Sequence, residues 1–156
     1  MAEQLASIPR NEDRGVRFVR PENWHVTLRF LGDVKPDKVV DALAGTTLAP
    51  ARARLGPAVE VMDDRALVVP VAGLDAIAAT VIERTKGIGR SPRRRFTGHL
   101  TLARFRADGP TPRAVGVPVN ADFDVDELAL VQSRLGPQGA RYETLRAWPV
   151  PFETVS

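Results

Sequence analysis

The sequence predicts an α+β protein whose strands form antiparallel sheets. Three observations lead to this prediction: strand-like segments outnumber helical ones, the two kinds do not alternate regularly, and one short pattern occurs twice. Regular alternation would favour a parallel sheet, whereas the repeat indicates internal pseudo-symmetry. With 156 residues, the chain is expected to form one domain, residues 1–156, or two small lobes that share a core.

The N-terminal part of the chain predicts loops and two short strands. Residues 1–14 predict the end of a helix followed by a polar loop. Residues 16–19 alternate and are short enough for a strand, and Pro and Asn mark a turn at 20–23. Residues 25–31 alternate polar and apolar side chains, which predicts a second strand with a polar and an apolar face.

The middle of the chain predicts two helices that flank a group of strands. Residues 36–45 begin with Pro-Asp and end in Gly, as short helices do. Residues 74–89 repeat apolar side chains at helical spacing. Residues 51–73 contain strand-like pieces interrupted by a Gly-Pro and an Asp-Asp pair, which predicts two or three strands.

The C-terminal part predicts a loop and further strands. A basic loop at 91–98 precedes a strand at 99–105, which repeats the pattern of 25–31. Prolines and glycines make 106–121 mostly loop. The chain then closes with a hairpin, in which a turn at 136–139 joins a strand at 123–135 to a strand at 142–150.

Composition excludes several classes of protein. The chain has no cysteine, which rules out disulfides, thiolate nucleophiles and cysteine-ligated metals. It shows neither a signal peptide nor an apolar run long enough to span a membrane, so we expect a cytoplasmic protein with no membrane association. We also expect a monomer. The net charge is only +3, and nearly all cations are arginines, which match phosphate oxygens bidentately.

Two copies of one pattern carry the candidate chemistry. HVTLRFLG begins at His25 and HLTLARFR begins at His99, and these are the only histidines in the chain. On a strand, residues i and i+2 point to the same side, so His25 shares a face with Thr27, and His99 shares one with Thr101. If the two strands meet across a cleft, two imidazoles and two hydroxyls converge.

Such a set suits transfer at phosphorus. A neutral histidine can take a proton from an attacking water or alcohol, while a protonated partner gives one to the leaving oxygen. The threonine hydroxyls can donate to non-bridging phosphate oxygens, so no metal or cofactor is required. Two alternatives stay open: a purely structural role for both histidines, and a zinc site in which Asp or Glu supplies a further ligand.

On these residues, the sequence resembles the two-histidine (2H) phosphoesterase superfamily, which is defined by two HxT/S motifs. Within it, the chain is similar to bacterial and archaeal RNA 2′,3′-cyclic phosphodiesterases, historically named 2′-5′ RNA ligases (LigT/ThpR type). The resemblance covers most of the chain. It is carried by RFVRPENWHVTLRFLGDV at 17–34, RRRFTGHLTLARF at 93–105 and LALVQSRLGPQGARYETLRAWPV at 128–150.

The resemblance implies a bilobal α+β fold, in which two antiparallel sheets with pseudo-two-fold symmetry flank a central cleft and helices lie outside. Each HxT motif would contribute one side of the cleft. The implied reaction is metal-independent hydrolysis of an RNA 2′,3′-cyclic phosphate end, or of a cyclic nucleotide, to a 2′-phosphate. Reversible joining of RNA through a 2′-5′ linkage is the associated activity. His25 is then expected to be the proton donor and His99 the proton acceptor, while Thr27 and Thr101 bind the phosphate.

Three further residues are candidates for substrate binding. Arg104 lies five residues after His99, where the family often places a phosphate-binding arginine. Strand alternation assigns Arg104 to the opposite face unless a bulge or the strand end redirects it. Arg29 shares the face of His25, which fits either phosphate binding or a solvated side chain. Phe30 has the parity of the apolar face, so core packing is favoured over stacking on a base.

Other basic and aromatic residues have a less specific pattern. Trp24 and Tyr142 could stack on a nucleobase, but ordinary burial is the favoured interpretation for both. Arg93, Arg94 and Arg95 form either a positive rim for an RNA backbone or a solvated loop.

One departure from the family concerns the beginning of the chain. Members usually start with an apolar strand and a long helix, and residues 1–14 resemble only the end of that helix. The chain is therefore expected to be truncated at its N-terminus relative to the family, through either a misassigned start or a genuine truncation. A genuine truncation would expose a sheet edge and apolar surface. Two other functions stay open: a non-catalytic RNA- or nucleotide-binding module, and a 2H phosphodiesterase for another small cyclic phosphate.

Overall fold

The computed structural model describes residues 15–137 and 139–152, together with Leu5 and Ile8. The chain divides into two compact units. The first unit comprises Met1–Thr27, Arg52–Asp75 and Phe96–Phe123, and the second comprises Leu28–Ala51, Ala76–Arg95 and Asp124–Ser156. The helix end and polar loop predicted for residues 1–14 lie almost wholly outside the described residues.

A six-stranded sheet lies in the first unit, except for Asp124 at the end of its last strand. Its strands are β1 (Arg17–Phe18), β2 (Arg52–Leu55), β3 (Glu60–Met62), β4 (Ala66–Ala72), β5 (His99–Arg104) and β6 (Ala121–Asp124). The order across the sheet is β1-β5-β4-β2-β6, and β3 also pairs with β4. The pairs that β4 and β5 form with β1, β2, β3 and each other are antiparallel.

Strand β4 lies in the middle of this sheet because its sequence, ALVVPVA, is almost wholly apolar. Residues 66–69 are buried, with Leu67 and Val69 fully inaccessible to solvent. The apolar side chains of the neighbouring strand β5, Leu100, Leu102 and Ala103, are buried as well. Burial of these aliphatic side chains anchors the strand that begins with His99.

The second unit contains two helices and a long hairpin among its described residues. Helix α1 (Pro36–Leu43) begins with proline at its first turn and buries Val39 and Leu43. Helix α2 (Asp75–Arg84), whose first residue belongs to the first unit, buries Ile77, Ala78 and Val81. The apolar spacing in both helices is that of one buried face. The hairpin pairs β7 (Glu127–Gly136) with β8 (Gly139–Pro149).

These observations confirm the predicted α+β class with two antiparallel sheets. Both predicted helices are present, and residues 51–73 form three strands. The second break in that region is a turn at Asp63 and Asp64, whose φ angles of 53° and 56° lie in the left-handed region that Asp tolerates. The predicted strand 123–135 is instead two strands, because β6 ends at Asp124 and β7 begins at Glu127.

The predicted strand at 25–31 is wrong. Residues 21–23 form a short 3₁₀ helix, and only Val26 makes a strand-like bridge before the chain bends at Leu28. Alternation of polar and apolar residues therefore did not indicate a regular ladder here, because the segment pairs with β5 at one residue only.

Candidate active site

The two HxT motifs are neighbours in the sheet of the first unit. Val26 of the first motif forms an antiparallel bridge with Leu100 of the second. Continued by one residue in each direction, this register places His25 opposite Thr101 and Thr27 opposite His99. Both motifs therefore lie in the same unit, whereas the sequence led us to expect one motif in each half.

All four motif side chains belong to one face of this pairing. Residues directly opposite in an antiparallel pair share a face, and successive residues alternate between faces. Leu100 is buried and Val26 is partly buried, whereas His25 and Thr27 are exposed and His99 and Thr101 are partly accessible. Cross-strand neighbours have Cβ atoms about 4.5–5.5 Å apart, and diagonal neighbours such as the two histidines lie about 7–8 Å apart. We call these four residues the His-Thr tetrad.

Both imidazoles are held by the same kind of contact. Nδ1 of His25 lies 2.6 Å from the carbonyl oxygen of Asn23, and Nδ1 of His99 lies 2.9 Å from that of Thr97. A carbonyl oxygen only accepts hydrogen bonds, so each Nδ1 must carry the hydrogen. In the neutral ring, Nε2 is then the basic nitrogen, and in the protonated ring, Nε2 can donate. Nε2 is therefore the nitrogen at which either ring would accept or release a proton.

Gly98 allows β5 to approach β4 closely just before His99. The Val71 nitrogen donates to the Gly98 carbonyl oxygen over 2.9 Å. A Cβ at position 98 would collide with the carbonyl oxygen of Val71. The absence of a side chain at Gly98 is therefore a requirement of the pairing that fixes the backbone of His99.

A β-bulge turns Arg104 toward the face of the His-Thr tetrad. Along β4, Val68 pairs with Thr101, but its neighbour Leu67 pairs with Ala103, which leaves Leu102 as an extra residue in β5. Ala66, which pairs with Arg104, shares a face with Val68. Arg104 therefore shares a face with Thr101, although simple alternation assigns it to the other side.

Arg17 reaches the same face and was missed by the sequence analysis. It lies in β1 directly opposite Arg104, and both side chains are exposed. The strand contains only Arg17 and Phe18, so its pairing partner cannot be deduced from local alternation. The available signal was the strand pattern at 16–19 immediately before the first motif.

Arg29 forms hydrogen bonds with the backbone at and beyond the end of helix α2. Its Nη1 donates to the carbonyl oxygen of Thr85 over 2.6 Å and also to the Thr85 hydroxyl. Its Nη2 donates to the carbonyl oxygens of Ile88 at 2.8 Å and Arg90 at 3.1 Å. Helix ends leave carbonyl groups without intrahelical partners, and a cation there also suits the helix dipole. Arg29 therefore has a structural role that neither alternative anticipated, and its phosphate contact stays a prediction.

Phe30 does not pack in the core that its parity predicted. In the second unit its side chain is 68% exposed. The bend at Leu28 ends the alternation on which the core prediction depended. Core packing is therefore wrong for Phe30, and stacking on a base stays a prediction.

The remaining aromatic and basic candidates separate into buried and exposed groups. Trp24 is partly buried and lines a small apolar cavity with Phe18 and Leu102, as the favoured interpretation required. Tyr142 is 41% exposed, so ordinary burial is wrong for this residue. The three arginines at 93–95 are exposed.

The described residues offer neither a metal site nor a membrane-spanning helix. No group of three or more His, Asp or Glu side chains in the described ranges could hold a metal ion. Within the same part of the chain, no helix has both the length and the apolar character needed to cross a bilayer.

The chain is similar to known phosphoesterases over most of its length. The model of the LigT like phosphoesterase family matches residues 2–55, which include the first motif. The RNA 2′,3′-cyclic phosphodiesterase of Thermus thermophilus is 33% identical over 161 residues, which cover 90% of this chain and 78% of the relative. The protein of the same name from Archaeoglobus fulgidus is 29% identical over 147 residues, which cover 86% of this chain and 84% of the relative.

The fold is also that of a solved structure. A crystal structure of a protein from Thermus thermophilus superimposes with a TM-score of 0.77 at 27% sequence identity. The superposition covers 97% of this chain and 90% of that chain. The α+β architecture described above is therefore shared with an experimentally determined relative.

Proposed function

Because this chain belongs to the LigT-like phosphoesterases of the 2H superfamily, we propose that it is an RNA 2′,3′-cyclic phosphodiesterase. The substrate is an RNA end, or a nucleotide, that carries a 2′,3′-cyclic phosphate, and the product is the 2′-phosphate. The observation that carries the proposal is the common face of the His-Thr tetrad, with both imidazoles held through Nδ1.

The proposed reaction needs one base and one acid. His99 accepts a proton at Nε2 from water as the water oxygen attacks phosphorus. The bond from phosphorus to the 3′-oxygen breaks, and His25 donates the proton on its Nε2 to that leaving oxygen. The two histidines thus end with their protonation states exchanged, and exchange with solvent restores them. The division of roles follows the resemblance to the family, and the similar support of both rings is compatible with it.

Hydrogen-bond donors on the same face stabilise the developing charge. Thr27 and Thr101 carry hydroxyls that can donate to the non-bridging oxygens, which become more negative as the water attacks. Arg104 also lies on this face because of the bulge in β5, and its positive charge can serve a phosphate of the substrate. The resemblance to the family makes Phe30, whose ring is exposed, a separate candidate for stacking on a nucleobase.

The same geometry supports reversible RNA joining. An RNA 5′-hydroxyl can replace water as the nucleophile, with His99 again taking the proton. Because the bond to the 3′-oxygen breaks and the bond to the 2′-oxygen remains, the product of this attack is a 2′-5′ linkage. Ligation is therefore the hydrolytic mechanism with a different nucleophile.

One experiment tests the proposal. The protein is incubated in EDTA with an RNA that ends in a 2′,3′-cyclic phosphate, and the 2′-phosphate product is followed by ³¹P NMR. We expect turnover in EDTA, with kcat/KM falling at least about 100-fold in His25→Ala and His99→Ala because each removes a proton-transfer group. Arg113→Gln is the control, since Arg113 is an exposed loop residue of the same unit.

The other outcomes each select a different function. Binding of the RNA without turnover would favour the non-catalytic binding module. Turnover of small cyclic phosphates but not of the RNA end would favour the small-molecule phosphodiesterase. Activity that EDTA abolishes would contradict the metal-independent mechanism.

A further inference from the structure

Arg17 and Arg104 form a pair of like charges across two neighbouring strands. They are directly opposite each other in the antiparallel pairing of β1 with β5. Residues in this relationship share a face, with Cβ atoms about 4.5–5.5 Å apart. Both side chains are exposed. We call these two residues the arginine pair.

Nothing in the described ranges of the chain neutralises the arginine pair. Neither guanidinium forms a hydrogen bond or an ion pair with a described residue. Like charges directly opposite each other destabilise an antiparallel pairing. The repulsion acts on β1, which has only two residues. The arrangement therefore weakens a short strand unless an anion lies between the two guanidinium groups.

The arginine pair lies on the same face as the His-Thr tetrad. Arg104 pairs with Ala66 and Thr101 pairs with Val68, so two residues of β4 separate the two rows. At the rise of a strand, this separation is about 7 Å. The pair is therefore close enough to the tetrad for one nucleotide to contact both, with a phosphate at each end.

We propose that the arginine pair binds a second phosphate of the substrate, the one on the 5′-oxygen of the nucleotide whose cyclic phosphate reacts. This inference rests on the proposed function, because the tetrad must hold the cyclic phosphate. Guanidinium groups bind phosphate oxygens through charge-assisted, often bidentate hydrogen bonds. The preferred substrate is then an RNA end or a 5′-phosphorylated nucleotide, rather than a nucleoside 2′,3′-cyclic phosphate alone.

The test compares two substrates that differ in one phosphate. They are cytidine 2′,3′-cyclic phosphate with and without a 5′-phosphate, and the readout is the ratio of their kcat/KM values. Because a ratio does not depend on the fraction of active enzyme, a partly unfolded variant remains informative. Charge-assisted hydrogen bonds to one phosphate predict a ratio of about 10 to 100 in the wild-type protein.

Substitution of the arginine pair should remove this preference. We expect Arg17→Gln to bring the ratio close to one and to flatten its dependence on salt concentration, because fewer phosphate charges are neutralised. Arg113→Gln is the matched control: it removes the same charge from an exposed position of the same unit. Arg113 lies in a loop outside β1 and β5. The strand-like bridge of this loop joins Pro118 to Ala58, so the loop does not pair with either of those strands there.

The two proposals can fail separately. Turnover of both substrates with equal efficiency, or a preference that Arg17→Gln leaves intact, would overturn the second-phosphate inference and leave the proposed function standing. If the wild-type protein turned over neither of these substrates nor the RNA end, the proposed function would fail. The inference would then be decided by calorimetric binding of cytidine 2′,5′-bisphosphate against cytidine 2′-phosphate. A tighter bisphosphate complex that depends on Arg17 supports the inference, and equal affinity rejects it.

Discussion

Val26 and Leu100 form a single antiparallel bridge that makes the two HxT motifs neighbours in one sheet. Because of this bridge, the two histidines are diagonal neighbours, and each stands opposite a threonine. The spacing of about 7–8 Å between diagonal residues leaves room for a phosphate group between the two imidazoles. An acid and a base can therefore act on opposite sides of the same phosphorus atom.

The assignment of His25 as acid and His99 as base predicts different responses to the leaving group. A p-nitrophenyl phosphodiester releases p-nitrophenolate, which is a stable anion and needs no proton from an acid. For this substrate, loss of the acid should therefore lower the rate less than loss of the base. We expect His25→Ala to retain a larger fraction of wild-type kcat/KM on this ester than on the cyclic phosphate. His99→Ala should lose similar fractions on both substrates. The reverse pattern would exchange the two roles.

Arg29 should affect stability more than substrate binding. Arg29→Ala leaves carbonyl oxygens beyond helix α2 without their donor, and we expect a loss of about 2–3 kcal/mol in the free energy of unfolding measured with urea. KM of the folded fraction should change little. Arg84→Ala, in the last turn of the same helix, is the comparison variant. A stable Arg29→Ala protein with a raised KM would restore the phosphate contact that the sequence suggested.

Phe30 should affect the affinity for substrates that carry a base. Phe30→Ala removes an exposed ring, so the free energy of unfolding should stay within about 0.5 kcal/mol of wild type. If a base stacks on the ring, KM for the nucleotide should rise about 5- to 100-fold. The control is Leu135→Ala, which shortens an apolar side chain that is 91% exposed in the same unit. Equal KM values for both variants would show that Phe30 does not contact the base.

A substitution at Gly98 should lower both the stability of the protein and its activity. Gly98→Ala places a methyl group against the Val71 carbonyl, so β5 must move away from β4 at the residue before His99. We expect a loss of about 1–3 kcal/mol in unfolding free energy together with a fall in kcat. Gly136→Ala is the matched control, because its Cβ would meet the Gly139 carbonyl oxygen at an ordinary 3.6 Å. Unchanged activity in Gly98→Ala would show that the close approach does not position the histidine.

The sequence predicted the elements and the tetrad because both depend on local patterns. Helical spacing identified α1 and α2, and the HxT repeat identified the four residues that share a face. Local patterns failed where long-range pairing decided the outcome. The alternation of 25–31 breaks at Leu28, and this break changes the surroundings of both Arg29 and Phe30.

Arg104 and Arg17 also show that local sequence patterns do not reveal long-range strand pairing. Arg104 was identified through the family resemblance while its parity argued against it, because the extra residue in β5 is visible only in the pairing with β4. Arg17 was not identified at all, because the role proposed for it depends on a partner that is distant in the sequence. Neither relationship is encoded in the residues next to the arginine.

The bulge at Leu102 reverses the alternation of faces for the residues of β5 that follow it. Every side chain of β5 that follows it is presented on the opposite surface from the one that uninterrupted alternation would give. One residue added to β4 between Leu67 and Val68 would pair with Leu102, restore the alternation and return Arg104 to the other surface. The face of the His-Thr tetrad would then lose a positive charge although no residue on it had been substituted. In engineering of this protein, inserting one residue in β4 would thus change which side chains face a ligand more than many substitutions would.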